Sequence, residues 1–304
     1  MKFVKAHCGA NDFIILDSRK NKVPKNSKKF IPQWTNRRTG IGADGVIVIE
    51  PSKDMDFGLR YFNPDGSEYA VCGDGSLCAV LYEGKKEVSF STLAGMLRGS
   101  LTNNKVKVEV PSPRDVKLCN LNIRVDESLC SHQVHTKLGI EARASTYTTK
   151  DSPPYLNKGK KIECNFVDIW VPHTIIFVRN VELVDINREA LPVRFHSYFG
   201  SEGTNVNFVQ VINEHKIAVR TYERGVEGET LSCGSGSCAS CIVGWLKKKL
   251  MSPIEVKTRI GKLVVYINSQ RSTVNSQQLT DIWLEGSPEI VYEGEIKILG
   301  KKAY

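Results

Sequence analysis

Glu68-Tyr69-Ala70-Val71-Cys72-Gly73-Asp74-Gly75-Ser76 and Glu229-Thr230-Leu231-Ser232-Cys233-Gly234-Ser235-Gly236-Ser237 follow one design in two distant parts of the chain. Each places a glutamate four residues before a cysteine, then Gly-x-Gly-Ser, then an apolar stretch of helical character: Leu77 to Tyr82 in the first, Cys238 to Lys249 in the second. Strand-like runs closing on glycine follow each, Val88 to Gly95 and Val256 to Gly261. A pattern repeated at this separation reads as a duplicated domain with one cysteine at the same place in each half.

The chemistry follows from helix geometry. Glycines after the cysteine let the backbone turn tightly and approach a ligand. The helix behind them presents unsatisfied N–H groups and partial positive charge at its N-terminus, which suits a carboxylate and stabilises a thiolate. Two such termini gripping one α-carboxylate would leave a sulfur on either side of the α-carbon. One thiolate could then remove the α-proton while one thiol returns a proton to the opposite face, and the roles would swap with substrate handedness. Cys72 and Cys233 are therefore the expected acid–base pair.

Working outward, alternating or β-branched runs at Val46–Ile49, Lys105–Val110, Ile175–Val178, Val206–Val211, Ile217–Tyr222 and Leu263–Ile267 predict strands. Strands outnumber helices, so the expected class is α+β, with a curved, mostly antiparallel sheet around one principal helix in each half. Pro111-Ser112-Pro113 suggests a boundary close to Leu118, and the Pro-rich, polar Lys150–Gly159 stretch reads as a long loop inside the second half.

At 304 residues, 41% hydrophobic and 25% charged, the chain reads as an ordinary globular protein large enough for two domains. No apolar run reaches the roughly 20 residues of a membrane span. Met1-Lys2-Phe3-Val4-Lys5 lacks the apolar core of an export signal, so a cytoplasmic enzyme is expected. The net charge of +9 sits in short runs such as Arg19–Lys29, Lys158–Lys161 and Lys247–Lys249, without aromatic interleaving or zinc-finger spacing. They read as solvated surface rather than a nucleic-acid interface. Nine cysteines, an odd number, argue against a complete disulfide framework. Cys238-x-x-Cys241 falls inside the second helix, without the turn that metal-binding pairs use, so no metal site is expected. Cys78 and Cys238 are expected on buried helix faces. His132-x-x-His135 stands in a polar segment and reads as surface.

At these motifs the sequence resembles the diaminopimelate epimerase family of pyridoxal-phosphate-independent amino-acid epimerases. His7-Cys8-Gly9-Ala10-Asn11-Asp12-Phe13, Thr39-Gly40-Ile41-Gly42-Ala43-Asp44-Gly45, Phe62-Asn63-Pro64-Asp65-Gly66-Ser67, Val171-Pro172-His173, Gly203-Thr204-Asn205-Val206-Asn207-Phe208 and Tyr222-Glu223-Arg224-Gly225-Val226, running on to the Cys233 motif, stand in the family's order. The resemblance implies two pseudo-symmetric domains, residues 1–118 with 289–304 and residues 119–288, with the active site in the cleft between them. It implies no cofactor, a small amino-acid substrate and a homodimer. Carried over, it makes Cys72 and Cys233 catalytic and assigns the reacting carboxylate to the backbone N–H groups of Gly73, Asp74, Gly234 and Ser235. Asn11, Asn63, Asn205, Glu223 and Arg224 would hold the amino groups and distal carboxylate, Arg224 as a bidentate clamp. His173 would shape the pocket.

Four positions depart from the family pattern. Asp74 replaces an asparagine, and its charge should raise the pKa of Cys72 unless it points away or pairs with a cation. Trp170 stands for a glycine, Leu77 for an arginine and Cys8 for a glycine. The leading expectation is conversion of LL- to meso-diaminopimelate for lysine and peptidoglycan precursor synthesis. The alternatives are racemisation of another polar amino acid, histidine or glutamate, and a non-catalytic thiol protein with redox or metal-binding function.

Overall fold

The computed structural model describes residues 1–124, 161–268, 279 and 281–296. Cys130, His132, His135 and the Lys150–Gly159 stretch lie outside the described residues.

The chain packs as two compact units. Met1–Pro111, Ile260–Asn268 and Thr280–Tyr304 form one, Ser112–Arg259 and Ser269–Leu279 the other. In the first, β1 (Lys2–Cys8) and β2 (Asn11–Asp17) make a hairpin whose turn, Gly9-Ala10, carries positive φ at both residues. After α1 (Ser27–Thr35) the chain returns as β3 (Gly45–Glu50), parallel to β2. Antiparallel β4 (Phe57–Phe62) and β5 (Glu68–Tyr69) lead into α2 (Gly73–Glu83). β6 (Glu87–Thr92) then runs parallel to β4, and β7 (Gly95–Thr102) and β8 (Lys105–Val110) continue as an antiparallel meander.

The second unit repeats this order. β9 (Asp115–Arg124) pairs with β10 (Lys161–Asp168), which forms an antiparallel pair with β11 (Pro172–Phe177). The short helices α3 (Ile186–Glu189) and α4 (Leu191–Arg194) precede β12 (Asn205–Asn213), parallel to β11. Antiparallel β13 (Lys216–Glu223) and β14 (Gly228–Thr230) lead into α5 (Gly234–Lys247), after which β15 (Ile254–Lys257) runs parallel to β13. β16 (Lys262–Ile267), β17 (Ile282–Gly286) and β18 (Glu289–Glu295) complete the first unit: β17 pairs with β16 and β8, and β18 with β1. The expected return at residue 289 therefore begins earlier. The ladder from β8 through β17 to β16 ties residues 260–268 to the N-terminal half.

The six strands read from alternation and β-branching form, whereas the run Val256–Gly261 is strand only at its start, in β15; antiparallel pairs predominate. The parallel β2/β3 pair is deeply buried, as strands covered on both faces are. Phe13 to Leu16 on β2 and Val46, Ile47 and Ile49 on β3 are at most 1% exposed. Each such side chain contributes about 1.5–3 kcal/mol by leaving water. α2 packs on β1, β2, β7 and β8, and α5 on β10 to β13. Burial from Gly236 to Trp245 covers every face of α5, the mark of a core helix. Gly84, left-handed at φ 69°, stops α2. Lys247 closes α5, where a cation complements the helix dipole.

Candidate active site

Cys72 and Cys233 occupy the same structural position. Each is the N-cap of its helix with an extended backbone, φ −129° and ψ 120° for Cys72, φ −145° and ψ 107° for Cys233. Each carbonyl accepts the fourth N–H of the following turn, from Ser76 at 2.8 Å and Ser237 at 2.9 Å. The first-turn amides of Gly73 and Asp74, and of Gly234 and Ser235, thus open the two helices as expected. The Cys233 thiol also caps its helix directly, with the Gly236 N–H 3.4 Å from Sγ.

The upstream glutamates now have a reason. Glu68 receives a bidentate bond from Arg60 on β4, at 2.7 and 2.8 Å. Glu229 receives the same bond from Arg220 on β13, at 2.6 and 2.7 Å. Each pair pins the two-residue or three-residue strand that delivers the cysteine. The second brace is deeper: the Arg220 side chain is 9% exposed and also donates to the carbonyls of Val181 and Val184, whereas that of Arg60 is 41% exposed.

Around Cys72, Asp74 is buried and accepts from Asn11 Nδ2 at 3.1 Å. Its charge stays close to the thiols. Burial first, then Asp74 and Cys72, push the Cys8 thiol well above the ordinary range, and burial does the same to Cys78. Leu77 is fully buried, in the apolar packing of α2. Asn63 closes the turn before β5, donating from its backbone to Ser67 at 2.9 Å. The Thr39–Gly45 motif is structural: Arg37 bridges Asp12 at 2.6 Å and Asp44 at 2.7 Å, fastening that loop to β2.

Around Cys233, a buried polar chain runs inward. Ser235 Oγ lies 3.5 Å from Cys233 Sγ and 3.0 Å from His173 Nε2. His173 Nδ1 lies 3.1 Å from Asn207 Nδ2, and Thr221 Oγ1 donates to Asn207 Oδ1 at 3.0 Å. His173 is fully buried, and that burial pushes its pKa down to about 3. It therefore stands behind Ser235 as a neutral imidazole. Asn205, also buried, accepts the Arg224 backbone N–H at 2.7 Å, so it orients the Glu223-Arg224 turn. The Arg224 guanidinium, 13% exposed, lies 3.5 Å from the exposed Glu202 carboxylate. Trp170 adopts φ 68° in the turn before β11, with the Arg114 guanidinium over its ring at 4.9 Å and Arg114 paired to Asp168 at 2.7 Å.

Asn11 thus stands with Asp74 at the first helix terminus and His173 with Ser235 at the second, while Asn63 lies in the turn before β5 and Asn205 holds the turn after β13 that carries Arg224. Arg60, Arg220, Asn207 and Thr221 were not among the expected residues. A polar residue at every second position of an otherwise apolar strand, Asn205 and Asn207 on β12, was the available signal. Among the described residues, Cys8, Cys72, Cys78, Cys164, Cys233, Cys238 and Cys241 are free thiols, and Cys78, Cys238 and Cys241 are buried in their helices as expected. No helix among the described residues is long and apolar enough to cross a membrane.

Comparison with known proteins agrees with this duplicated arrangement. A family model described as diaminopimelate epimerase matches residues 3–114 and 166–280. The chain is 33% identical to the diaminopimelate epimerase of Aquifex aeolicus (strain VF5), over 97% of this chain and 98% of the relative. It is 35% identical to that of Caldanaerobacter subterraneus subsp. tengcongensis, over 98% of this chain and 100% of the relative. Among solved structures, a Bacillus anthracis phenazine biosynthesis protein of the PhzF family superposes with a TM-score of 0.67 at 16% identity, covering 98% of this chain and 99% of the other. A hydroxyproline epimerase from Agrobacterium vitis gives 0.65 at 14% identity, covering 97% and 90%. At these identities the two structures share the fold.

Proposed function

The chain belongs to the diaminopimelate epimerase family, and on that footing we propose that Cys72 and Cys233 are the two bases of a cofactor-independent epimerisation of LL-2,6-diaminopimelate to meso-diaminopimelate. The reaction is an isomerisation in the service of lysine and peptidoglycan precursor synthesis. One observation carries the assignment of the pair: of the described cysteines, these two alone cap helices that open with Gly-x-Gly-Ser. A thiolate takes the α-proton from one face and the other thiol supplies a proton to the opposite face. First-turn amides of Gly73, Asp74, Gly234 and Ser235 hold the α-carboxylate and stabilise the charge that spreads into it as the carbanion forms. Asn11, Asn63, Asn205, Glu223 and Arg224 take the amino groups and the distal carboxylate. His173 acts through Ser235.

Asp74 favours a second reading within the same chemistry. Its buried carboxylate engages the Asn11 amide, one of the groups assigned to substrate, and a different polar amino acid such as histidine or glutamate would then be the substrate. A screen for deuterium entering the α-position in D₂O, over diaminopimelate, histidine, glutamate, ornithine and lysine, separates the two. Exchange with diaminopimelate supports the first reading, and exchange with another amino acid alone supports the second. Exchange with none would overturn both and favour a non-catalytic thiol protein.

Cytoplasmic residence and a homodimer belong to the proposal as well. Free thiols suit a reducing compartment. The half-exposed Ile290, Val291 and Tyr292 along β18 offer an apolar surface for a second copy. Sedimentation that gives a monomer at micromolar concentration would remove the dimer.

A further inference from the structure

The two units can be compared position by position, because their strand registers are equivalent. Phe13 faces Gly45 across the parallel β2/β3 pair, as His173 faces Asn205 across β11/β12. On the other side of each central strand, Val46 faces Phe62 and Ile47 faces Tyr61, as Val206 faces Tyr222 and Asn207 faces Thr221. Counting back from Gly45 and Asn205, Gly42 in the first unit answers to Glu202 in the second. Counting on from Phe62 and Tyr222, Pro64 answers to Arg224. In both units a buried cation holds the loop ahead of the central strand at the same carbonyl. Lys5, buried and paired with Asp12 at 2.6 Å, donates to the Gly42 carbonyl. Arg194, also buried, donates to the Glu202 carbonyl at 2.8 Å. The anchor is common to both units. At these positions the carboxylate on the loop and the guanidinium on the facing turn belong to the second unit alone.

Arg194 clips two loops together. Its Nε and Nη2 grip the Glu227 carboxylate at 3.2 and 2.6 Å, its Nη1 holds the Glu202 carbonyl, and its own carbonyl accepts the Thr204 N–H at 3.3 Å. Glu227 belongs to the turn that carries Arg224. It accepts the Gly225 N–H at 3.0 Å, and its own N–H donates to the Glu223 carbonyl at 2.9 Å. Asn205 ties the same turn back by accepting the Arg224 N–H at 2.7 Å. Gly203, left-handed at φ 66°, passes so close to Arg194 that a Cβ there would run into its guanidinium and its carbonyl. The backbones of Glu202 and Arg224 are therefore fixed, and side-chain torsions alone bring their charges together. They meet at 3.5 Å, with the Arg224 side chain 13% exposed and that of Glu202 82% exposed. A guanidinium set into the protein thus faces a carboxylate that keeps most of its hydration, and such a pair is easily parted. Arg224 stands on the Cys233 side of its unit: after burial, its charge is a further cause that lowers the His173 pKa.

We propose that the Glu202 carboxylate is an exchangeable occupant of the Arg224 guanidinium, seated there while no ligand is bound and displaced by the distal carboxylate of the substrate, with Arg194 as the positioning residue that keeps the two loops in register. The inference rests on the reading that gives Arg224 the distal carboxylate, and it adds a selection rule to that reading. A ligand ending in a carboxylate trades one anion for another at Arg224 and sends Glu202 into water, where it is already mostly hydrated. A ligand ending in an amide or an alkyl group has no charge with which to displace Glu202, so the ion pair stays closed against it. A ligand ending in an ammonium group meets the positive charge of Arg224 if Glu202 leaves. The exchange moves no proton and makes no covalent bond. Because the pair is exposed on its Glu202 side, its removal should change affinity for a carboxylate by about fivefold at most.

The test uses the full chain. Phenylglyoxal, which attacks guanidinium groups, is applied without substrate, and modification of Arg224 is followed in its peptide by mass spectrometry. Glu202→Gln keeps the shape of the side chain and removes its charge, so Arg224 should react about fivefold faster in this variant, with Arg194 unchanged. Pimelate, which has the two carboxylates of diaminopimelate and neither amino group, should protect Arg224 in both forms, at about fivefold lower concentration in Glu202→Gln. In α-proton exchange with diaminopimelate, Glu202→Gln should lower KM by the same factor and leave kcat unchanged. Glu227→Gln, which loosens the Arg194 clip and touches neither Arg224 nor Glu202, should raise KM about tenfold with kcat held, the mark of lost ground-state binding. An unchanged Arg224 labelling rate in Glu202→Gln, or a KM that stays or rises, would overturn the exchange. A fall in kcat with KM unmoved in Glu227→Gln would overturn the positioning role. Should Glu227→Gln fail to fold, the surface variant Glu202→Gln still decides. Absent α-proton exchange with every amino acid would remove the reaction and leave the labelling result standing, and exchange with unaltered labelling would do the reverse.

Discussion

Arg220 and Arg60 hold equivalent glutamates in equivalent strands, yet one brace is buried and tied to two further carbonyls while the other lies half open to water. The same contrast runs beneath the helices, where His173, Asn207 and Thr221 answer to Phe13, Ile47 and Tyr61. Duplication preserved the backbone course, the cysteine at the N-cap and the arginine–glutamate pair. It did not preserve polarity. Under the proposed reaction the two cysteines would work from unlike surroundings, the contacts common to both units belonging to the shared chemistry and those peculiar to one to its tuning.

The contrast can be tested at several strengths. Where the units agree, the effects should match: Cys72→Ala and Cys233→Ala should each lower α-proton exchange by roughly four to six powers of ten, as for a member of a catalytic unit. Normal turnover in either would break the equivalence at its centre. Where they differ in burial, the effects should separate. Arg220→Ala, which leaves Glu229 with Arg259 at 3.1 Å and takes the donor from the Val181 and Val184 carbonyls, should cost about 3 kcal/mol of stability in chemical denaturation. Arg60→Ala, in a solvated pair, should cost about 1 kcal/mol or less. Equal losses would show that the deeper brace adds nothing.

A smaller separation is expected at the helix glycines. Gly236→Ala pushes a methyl into Asn207 Oδ1 and to 3.3 Å from Cys233 Sγ, whereas at Gly75 the nearest atom is 3.3 Å away and the next is the Ile47 methyl at 3.4 Å. Thermal unfolding should register about 1–3 kcal/mol for the first and under about 1 kcal/mol for the second. The finest distinction is in pH dependence. Burial holds His173 near 3 in the folded protein, below its unfolded value of about 6.5. Between those values the unfolded chain binds the extra proton, so this contribution is complete above about 6.5 and is lost as pH falls, with a slope of up to about 1.4 kcal/mol per pH unit. His173→Gln should flatten that slope, and Phe13→Leu in the equivalent position should leave it unchanged.

Much of this was legible in the sequence. The repeated Glu-x-x-x-Cys-Gly-x-Gly-Ser pattern disclosed the duplication and both cysteines, because a tight turn before a helix needs its glycines at fixed offsets. The strands read correctly because alternation and β-branching report burial directly. Less legible were Asn207 and Thr221, since a polar residue on a strand looks solvent-facing until the helix above it is placed. Asp74 could be flagged as a charge near Cys72, but its bond to Asn11 joins residues 63 positions apart. The motif put His173 near the site, and its complete burial behind Ser235 favours an indirect role over direct contact with a ligand. The C-terminal return was misjudged at residue 289 because β17 pairs with β8, a partnership with no local signature.

That pairing has a consequence for how the protein is made. β1 finds its neighbour β18 only after almost the whole chain has left the ribosome, as the match of Lys2 with Glu295 requires. Synthesis proceeds at roughly 5–20 residues per second, so the unit carrying Cys72 spends on the order of ten seconds with both its β1 and its β8 edges unpaired. The β10–β15 segment with Cys233, meanwhile, is already complete in sequence. The half-site that emerges first is thus the one that must wait for its last strand, and its open β1 edge is where a nascent-chain chaperone would be most needed.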